Sequence, residues 1–314
     1  MRRSVSTAAG LYPGAPATRQ SQRVGAVVRQ TGRRLLEAGP DGRAALLPLA
    51  RRGFQLASLG TIAPRGVTIT QVPGTGEWVR ARGVGESRPV LYFHGGGYFF
   101  GSPRQHRGLS WRLSAATRRP VLMVRYRLVP EHTAMHALTD ALAAYGGLLA
   151  QGHEPEHITV GGDSAGGHLA LSLVHELKRR GQPLPGAIVG ISPWVDLRCT
   201  ADSHRLNEAS DTLLPARRLA WLGRYLAATA PADLRVHAPA EGDYTGFPPL
   251  LLVSSSTEIL RDDSRHLAKR AAAAGVDVEH HEWAGQTHVF PVFSDFVPEG
   301  KAAIRHIAAF LRGR

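Results

Sequence analysis

Ile158-Thr159-Val160-Gly161-Gly162-Asp163-Ser164-Ala165-Gly166-Gly167 passes from a β-branched run to a serine set among glycines, and a helical pattern begins at once. A Gly-x-Ser-x-Gly match carries meaning in this context. A sharp strand-to-helix turn thrusts the serine hydroxyl out above the edge of a sheet. Gly162 and Gly166 suit such a turn because the strand and helix backbones approach too closely for a Cβ. Ser164 would then be held in a strained conformation that a rigid surround must impose. Taken alone, the same ten residues also fit a glycine-rich strand end whose serine only caps a helix.

The flanking sequence supplies the rest of the architecture. Val67–Thr70 and Trp78–Ala81 alternate as strands around a Pro-Gly turn. Pro89–Phe93 and Val121–Val124 are continuous apolar runs, the pattern of parallel strands covered on both faces. Helices are expected from about His106 to Thr117, from Ala137 to Ala150, and directly after Ser164. That third helix places Leu169, Leu173 and Leu177 on one face, and ends in Lys178-Arg179-Arg180-Gly181. Strands follow at Ala187–Ile191, at Leu250–Val253 and around Val276–Trp283, and a last helix at about Gly300–Leu311. Repeated β-α-β units imply an α/β fold with a mostly parallel sheet between helical layers. Near residues 198–240 the alternation breaks into leucine-rich helical pattern, an insertion above the sheet where binding loops gather. Residues 20–60 read as two or three short helices, punctuated by Gly39-Pro40 and by Gly53.

At 314 residues the chain can bury a large core. Its single cysteine, Cys199, excludes an internal disulfide and a cysteine zinc site, which fits a reducing compartment. Ser4–Ala17 contains no apolar run of signal-peptide length, and no membrane-spanning run occurs, so a soluble, cytoplasmic protein is expected. The formal net charge is +13, but residues 1–54 hold ten arginines against Glu37 and Asp41. The charge is therefore local. No aromatic residues interleave those arginines as a nucleic-acid stacking platform requires. No nucleic-acid partner and no stable membrane insertion are expected, and a homodimer is left open.

Acyl transfer by a serine requires a base, a carboxylate to orient it, and amide donors for the developing oxyanion. His94-Gly95-Gly96-Gly97 follows the Leu91 strand, so the expected donors are the amides of Gly96, Gly97 and Ala165. The base must follow the acid late in the chain. Gly285-Gln286-Thr287-His288 lies between the last strand and the last helix, which makes His288 the candidate, whereas His280 and His281 sit within the strand. For the carboxylate, Glu258 follows the Leu250 strand thirty residues before His288. Asp196 and Asp262 remain alternatives, although Asp262 and Asp263 suit the first turn of the next helix. His153-Glu154-Pro155-Glu156-His157 matches a zinc motif in letters only, because Pro155 would break the helix that the motif needs. No metal and no cofactor are implied.

These pieces together resemble the bacterial hormone-sensitive-lipase-like esterases of the α/β-hydrolase superfamily. The matching segments are His94–Tyr98, Tyr126-Arg127-Leu128-Val129-Pro130-Glu131-His132, Gly162–Gly167, Ser192-Pro193-Trp194-Val195-Asp196-Leu197 and His288-Val289-Phe290. The resemblance implies an eight-stranded sheet with a helical cap, built from residues 1–55 and from an insertion near 198–240 in a catalytic domain of residues 56–314. It implies Ser164 as nucleophile, His288 as base, Gly96, Gly97 and Ala165 as oxyanion donors, and His94 as a turn-stabilising residue. Where the family usually has Asp-Pro-Leu, this chain has Glu258-Ile259-Leu260. That variant looks like the branch containing monoterpene ε-lactone hydrolases. His132-Thr133-Ala134-Met135 also lacks the prolines that often follow Pro-Glu-His. The expected activity is hydrolysis of short-chain or cyclic esters through an acyl-enzyme. An amidase or acyltransferase with the same triad, or a non-enzymatic small-molecule receptor, are the rival readings.

Overall fold

The computed structural model describes residues 11–38, 44–57, 64–229 and 239–314. The Gly39-Pro40 break and residues 1–10 and 230–238 of the expected cap segments lie outside the described residues. Among the described residues eight strands form one sheet: β1 Thr68–Val72, β2 Gly76–Arg80, β3 Val90–Phe93, β4 Val121–Val124, β5 Thr159–Asp163, β6 Ala187–Ile191, β7 Leu250–Ser255 and β8 Val278–Trp283. Their order is β1-β2-β4-β3-β5-β6-β7-β8. Only the β1–β2 and β2–β4 pairs are antiparallel, and the other five are parallel. The sheet is therefore mostly parallel and lies between helical layers, as the alternation of apolar runs and helical periods implies.

The two-residue period of the strands divides the core. Leu91 and Phe93 of β3, with Leu122 and Val124 of β4, face one layer, where they meet helices α5 (Ala134–Ala150) and α6 (Ala165–Arg179). Val90, Tyr92, Val121 and Met123 face the opposite layer, where helices α4 (Arg107–Thr117) and α10 (Pro298–Phe310) pack. All eight strand residues are buried. Each large one contributes about 2 kcal/mol of transfer free energy, which explains runs with no polar alternation.

Helix α6 departs from the amphipathic expectation. Every residue from Ala165 to Leu177 is buried, His168, His175 and Glu176 included. Leu169, Leu173 and Leu177 join the α5 side, while Leu171 and Val174 pack with β6, β7 and helix α9 (Arg261–Ala273). The helix lies between two packed layers, so both faces are covered. Glu176 tolerates burial because Arg179 and Arg180 both pair with it, at 2.7 and 2.6 Å.

Helix boundaries shift by a few residues from their sequence positions. Helix α5 starts at Ala134 because Thr133 and His136 form a reciprocal capping box. The N-terminal segment holds α1 (Arg19–Val28), which continues through one π-helical turn into α2 (Arg34–Glu37), and then α3 (Leu47–Ala57). The last runs straight through Gly53, which therefore does not punctuate the helix. A mid-helix glycine costs only about 1 kcal/mol against alanine. Within 198–240 the helices are α7 (Ser203–Leu206) and α8 (Ala216–Ala228), and no strand intervenes among the described residues.

Candidate active site

Ser164 stands between β5 and α6 with φ 51° and ψ −119°, a left-handed backbone that costs a non-glycine residue energy. Neighbouring strands hold it there. Its amide donates to the Ile191 carbonyl at 2.9 Å, and its carbonyl accepts from the Trp194 amide at 3.0 Å. Gly166 meets the adjacent strand end: a Cβ there would fall inside contact distance of the Phe93 carbonyl oxygen. This is the close approach that the turn residues imply.

The glycine loop after β3 lies beside this turn. Gly96 has φ +121°, and a Cβ on it would strike the Phe100 carbonyl. Among the described residues no hydrogen bond engages the amides of Gly96 and Gly97. The loop is braced from several elements. The Tyr126 hydroxyl donates to the His94 carbonyl at 2.7 Å, and Arg51 of α3 donates to the carbonyls of Phe99 and Val129 at 2.7 and 2.6 Å. His94 stacks on Tyr126 with ring centroids 4.3 Å apart. Burial, with His106 nearby, pushes its pKa down to about 3, so it stays neutral.

His288 Nδ1 lies 2.6 Å from Glu258 Oε2, and both side chains are buried. The other Glu258 oxygen accepts from the Ser255 amide at 2.7 Å, which fixes the carboxylate. His288 Nε2 is buried with no hydrogen-bond partner among the described residues. The other candidate acids are engaged elsewhere. Asp196 binds Arg198 and Thr200, while Asp262 accepts from the Ser203 amide and pairs with Arg261. Asp263, in the first turn of α9, accepts from the amides of Val195 and Asp196. His280 and His281 lie in β8, with His280 Nε2 2.8 Å from the Ser254 hydroxyl. Pro155–His157 forms a single 3₁₀ turn, so His153 and His157 share no α-helical face.

Ser164, His288 and the glycines Gly95, Gly96 and Gly97 all border one cavity of about 360 Å³. Its walls are mainly apolar and come from distant parts of the chain: Val28, Leu36 and Leu47 from the N-terminal helices, and Leu214, Leu219 and Leu222 from around α8. Two polar residues on the cavity wall were not singled out by sequence. His106 Nε2 lies 3.3 Å from Asp163 Oδ2. Burial opposes charge on both, yet Asp163 lifts His106 above the ordinary histidine value, and His106 helps hold Asp163 below the ordinary carboxylate range. Asp163 lies within the Gly162–Gly167 segment, but nothing local marks the pairing, which joins the 3₁₀ turn Pro103–His106 to the end of β5.

For His288 itself, burial works against the imidazolium. The Glu258 hydrogen bond and the charges of Glu258, Asp211 and Asp163 outweigh it, so the pKa stands above the ordinary 6.5.

A family model described as the alpha/beta hydrolase fold matches residues 90–292. An acetyl-hydrolase of Streptomyces hygroscopicus is 45% identical over 251 residues, covering 79% of this chain and 83% of the relative. A carboxylesterase/phospholipase, LipF, of Mycobacterium tuberculosis is 38% identical over 257 residues, covering 78% and 68%. Among solved structures, an esterase from the bacterial hormone-sensitive lipase family superposes with a TM-score of 0.85 at 34% identity, covering 94% of this chain and 98% of that one.

Proposed function

Because the chain belongs to the alpha/beta hydrolase fold family and is a carboxylesterase-like hydrolase, we propose that it hydrolyses esters through a serine acyl-enzyme. Ser164 is the nucleophile, His288 the base and Glu258 the orienting acid. One observation carries this reading. A buried imidazole is held at Nδ1 by a buried carboxylate, and its Nε2 has no hydrogen-bond partner among the described residues, on the cavity that Ser164 borders.

With Glu258 accepting from Nδ1–H, His288 presents Nε2 as the base. Ser164 Oγ attacks the ester carbonyl and passes its proton to Nε2. The carbonyl oxygen becomes an oxyanion that accepts hydrogen bonds from the amides of Gly96, Gly97 and Ala165. Collapse of this intermediate breaks the bond to the alkoxy oxygen, which takes the proton from Nε2 and leaves as the alcohol. Water then attacks the acyl-enzyme, with His288 again as base, and releases the acid and free Ser164. A 360 Å³ apolar cavity favours short to medium, uncharged acyl groups. Lactones fall within the same class, since ring opening uses the same steps with the leaving alcohol tethered to the acyl group. The N-terminal helices and the segment around α8 serve as the cap, because both supply apolar residues to the cavity that Ser164 borders.

The test is covalent labelling with a fluorophosphonate, followed by hydrolysis rates across short p-nitrophenyl esters, long esters, lactones and anilides. The expected result is phosphonylation at Ser164, fast turnover of short esters and weak turnover of anilides. Absence of label on active protein would end the serine reading, and preferential anilide hydrolysis would make the protein an amidase.

Neutral imidazole is the catalytic form, so kcat/KM rises with pH as His288 loses its proton. The raised pKa places that acid limb above the ordinary histidine value of 6.5. A pH–rate profile on an ester without ionisable groups checks this. A flat profile between about pH 5 and pH 8 contradicts it.

A further inference from the structure

Resting on the assignment of Ser164, His288 and Glu258 above, we propose that the strap Asn207–Leu214 is a positioning element centred on Asp211, which holds the Glu258 and His288 loops together and joins them to the wall of the substrate cavity.

The strap bonds to both loops at successive positions. Asn207 Nδ2 donates to the carbonyls of Ser256 and Glu258 at 3.0 and 2.8 Å. The Ser210 hydroxyl donates to the Thr257 carbonyl at 2.9 Å. Asp211 Oδ2 accepts from the amide of Ile259, the residue after Glu258, at 2.8 Å. Thr212 Oγ1 donates to Thr287 Oγ1, beside His288, at 2.6 Å. One continuous segment thus touches the residues on either side of the acid and the residue before the base.

Asp211 also shapes the strap itself. Its Oδ1 accepts from the amides of Leu213 and Leu214 at 2.8 and 2.9 Å, and both leucines line the cavity. A single carboxylate therefore gathers three backbone amides, two on the cavity side and one on the acid loop. Only an acceptor-only group at full burial satisfies all three, because an asparagine would bring two N–H donors among groups that are already donors. The N-terminal segment completes the unit. Arg33 donates to the carbonyls of Asp211 and Leu214, each at 2.9 Å, and Arg29 donates to those of Ala209 and Ser210 at 2.9 and 3.1 Å.

Asp211 has an electrostatic effect as well. The titratable groups facing His288 are Glu258 from the loop after β7, Asp211 from the strap, and Asp163, paired with His106, from the end of β5. Burial raises the pKa of Asp211, while the imidazolium and the three amides oppose that rise. Replacement by a neutral residue removes negative charge from the imidazolium, so His288 loses its proton more readily and the acid limb of the rate profile moves to lower pH.

The experiment compares the full-length wild type with Asp211→Asn and Thr212→Val, measuring kcat and KM against pH on a p-nitrophenyl ester and fluorophosphonate labelling of Ser164. For Asp211→Asn the expected result is a cooperatively unfolding protein with kcat lowered about a hundredfold, KM within about threefold of wild type, and an acid limb displaced to lower pH. Folded Asp211→Asn with kcat within about threefold of wild type and an unmoved limb overturns the proposal. If Asp211→Asn does not fold, Thr212→Val decides: a kcat lowered about tenfold at unchanged KM upholds the strap, and wild-type kcat overturns it. Wild-type enzyme that is active yet unlabelled at Ser164 refutes the triad assignment instead, which keeps the two failures apart.

Discussion

Ser164→Ala loses ester hydrolysis almost entirely, with kcat lowered about 10⁶-fold, while the fold and its thermal transition persist. The size follows from the proposed triad, in which three groups act as a unit. Without the hydroxyl, His288 has no nucleophile to activate and Glu258 no imidazolium to stabilise. What survives is the contribution of the bound substrate facing the amides of Gly96, Gly97 and Ala165, worth about 10³–10⁴ over water. The side chain itself contributes little to stability, because the turn is held by backbone bonds to Ile191 and Trp194 and by the packing of Gly166 against β3. Steady-state hydrolysis of p-nitrophenyl butyrate, with circular dichroism as the folding check, measures both quantities. An alanine variant that keeps most of its activity would remove Ser164 from the mechanism.

Glu258→Gln is the second large effect, with kcat lowered about 10⁴-fold. The substitution preserves size but offers Nδ1 an amide that can donate. His288 is then free to take the tautomer with its proton on Nε2, which cannot accept from Ser164. The buried Oε1 also loses part of its bond from the Ser255 amide, so the loop loosens slightly. Asp196→Asn and Asp262→Asn serve as controls. Each carboxylate is committed to an arginine and to other partners away from His288, so folded variants should stay within about tenfold of wild-type kcat. A collapse confined to Asp196→Asn would transfer the orienting role to that residue.

How far the chain could be read without coordinates depended on the range of the interaction concerned. The Ser164 turn is legible because its causes are local. A buried parallel strand needs an apolar run, a tight crossing needs glycine, and the helix follows within the same ten residues. The helical character of α6 was equally plain, but its burial was not. A leucine stripe marks one packed face, and the second face became visible only when β6, β7 and α9 covered Leu171 and Val174. Gly53 misled for the opposite reason. A glycine weakens a helix by an amount that flanking residues and tertiary contacts override, so it is a poor stop signal in mid-helix.

The carboxylate shows the limit most clearly. Glu258, Asp196 and Asp262 each follow a strand end, and spacing alone left all three open. Which one meets an imidazole depends on how two loops thirty residues apart come together, and on what the rejected acids find instead. Asp196 has Arg198 and Thr200, Asp262 has Arg261 and the Ser203 amide, and Glu258 lies 2.6 Å from His288. The pairings of His106 with Asp163 and of Asp211 with the Ile259 amide had no local signature, since each joins residues far apart in the chain.

From the sequence by itself came the α/β layering, the mostly parallel sheet and the elbow at Ser164. Each of these is encoded in periods of two and 3.6 residues and in the steric needs of single glycines, which act over a few neighbours. Tertiary structure alone decided which acid faces His288, which helices wall the cavity, and how the 207–214 strap spans the Glu258 and His288 loops. Those outcomes are pairings between residues far apart in the chain, and a hydrogen bond of under 3 Å depends on the summed geometry of every element between its ends.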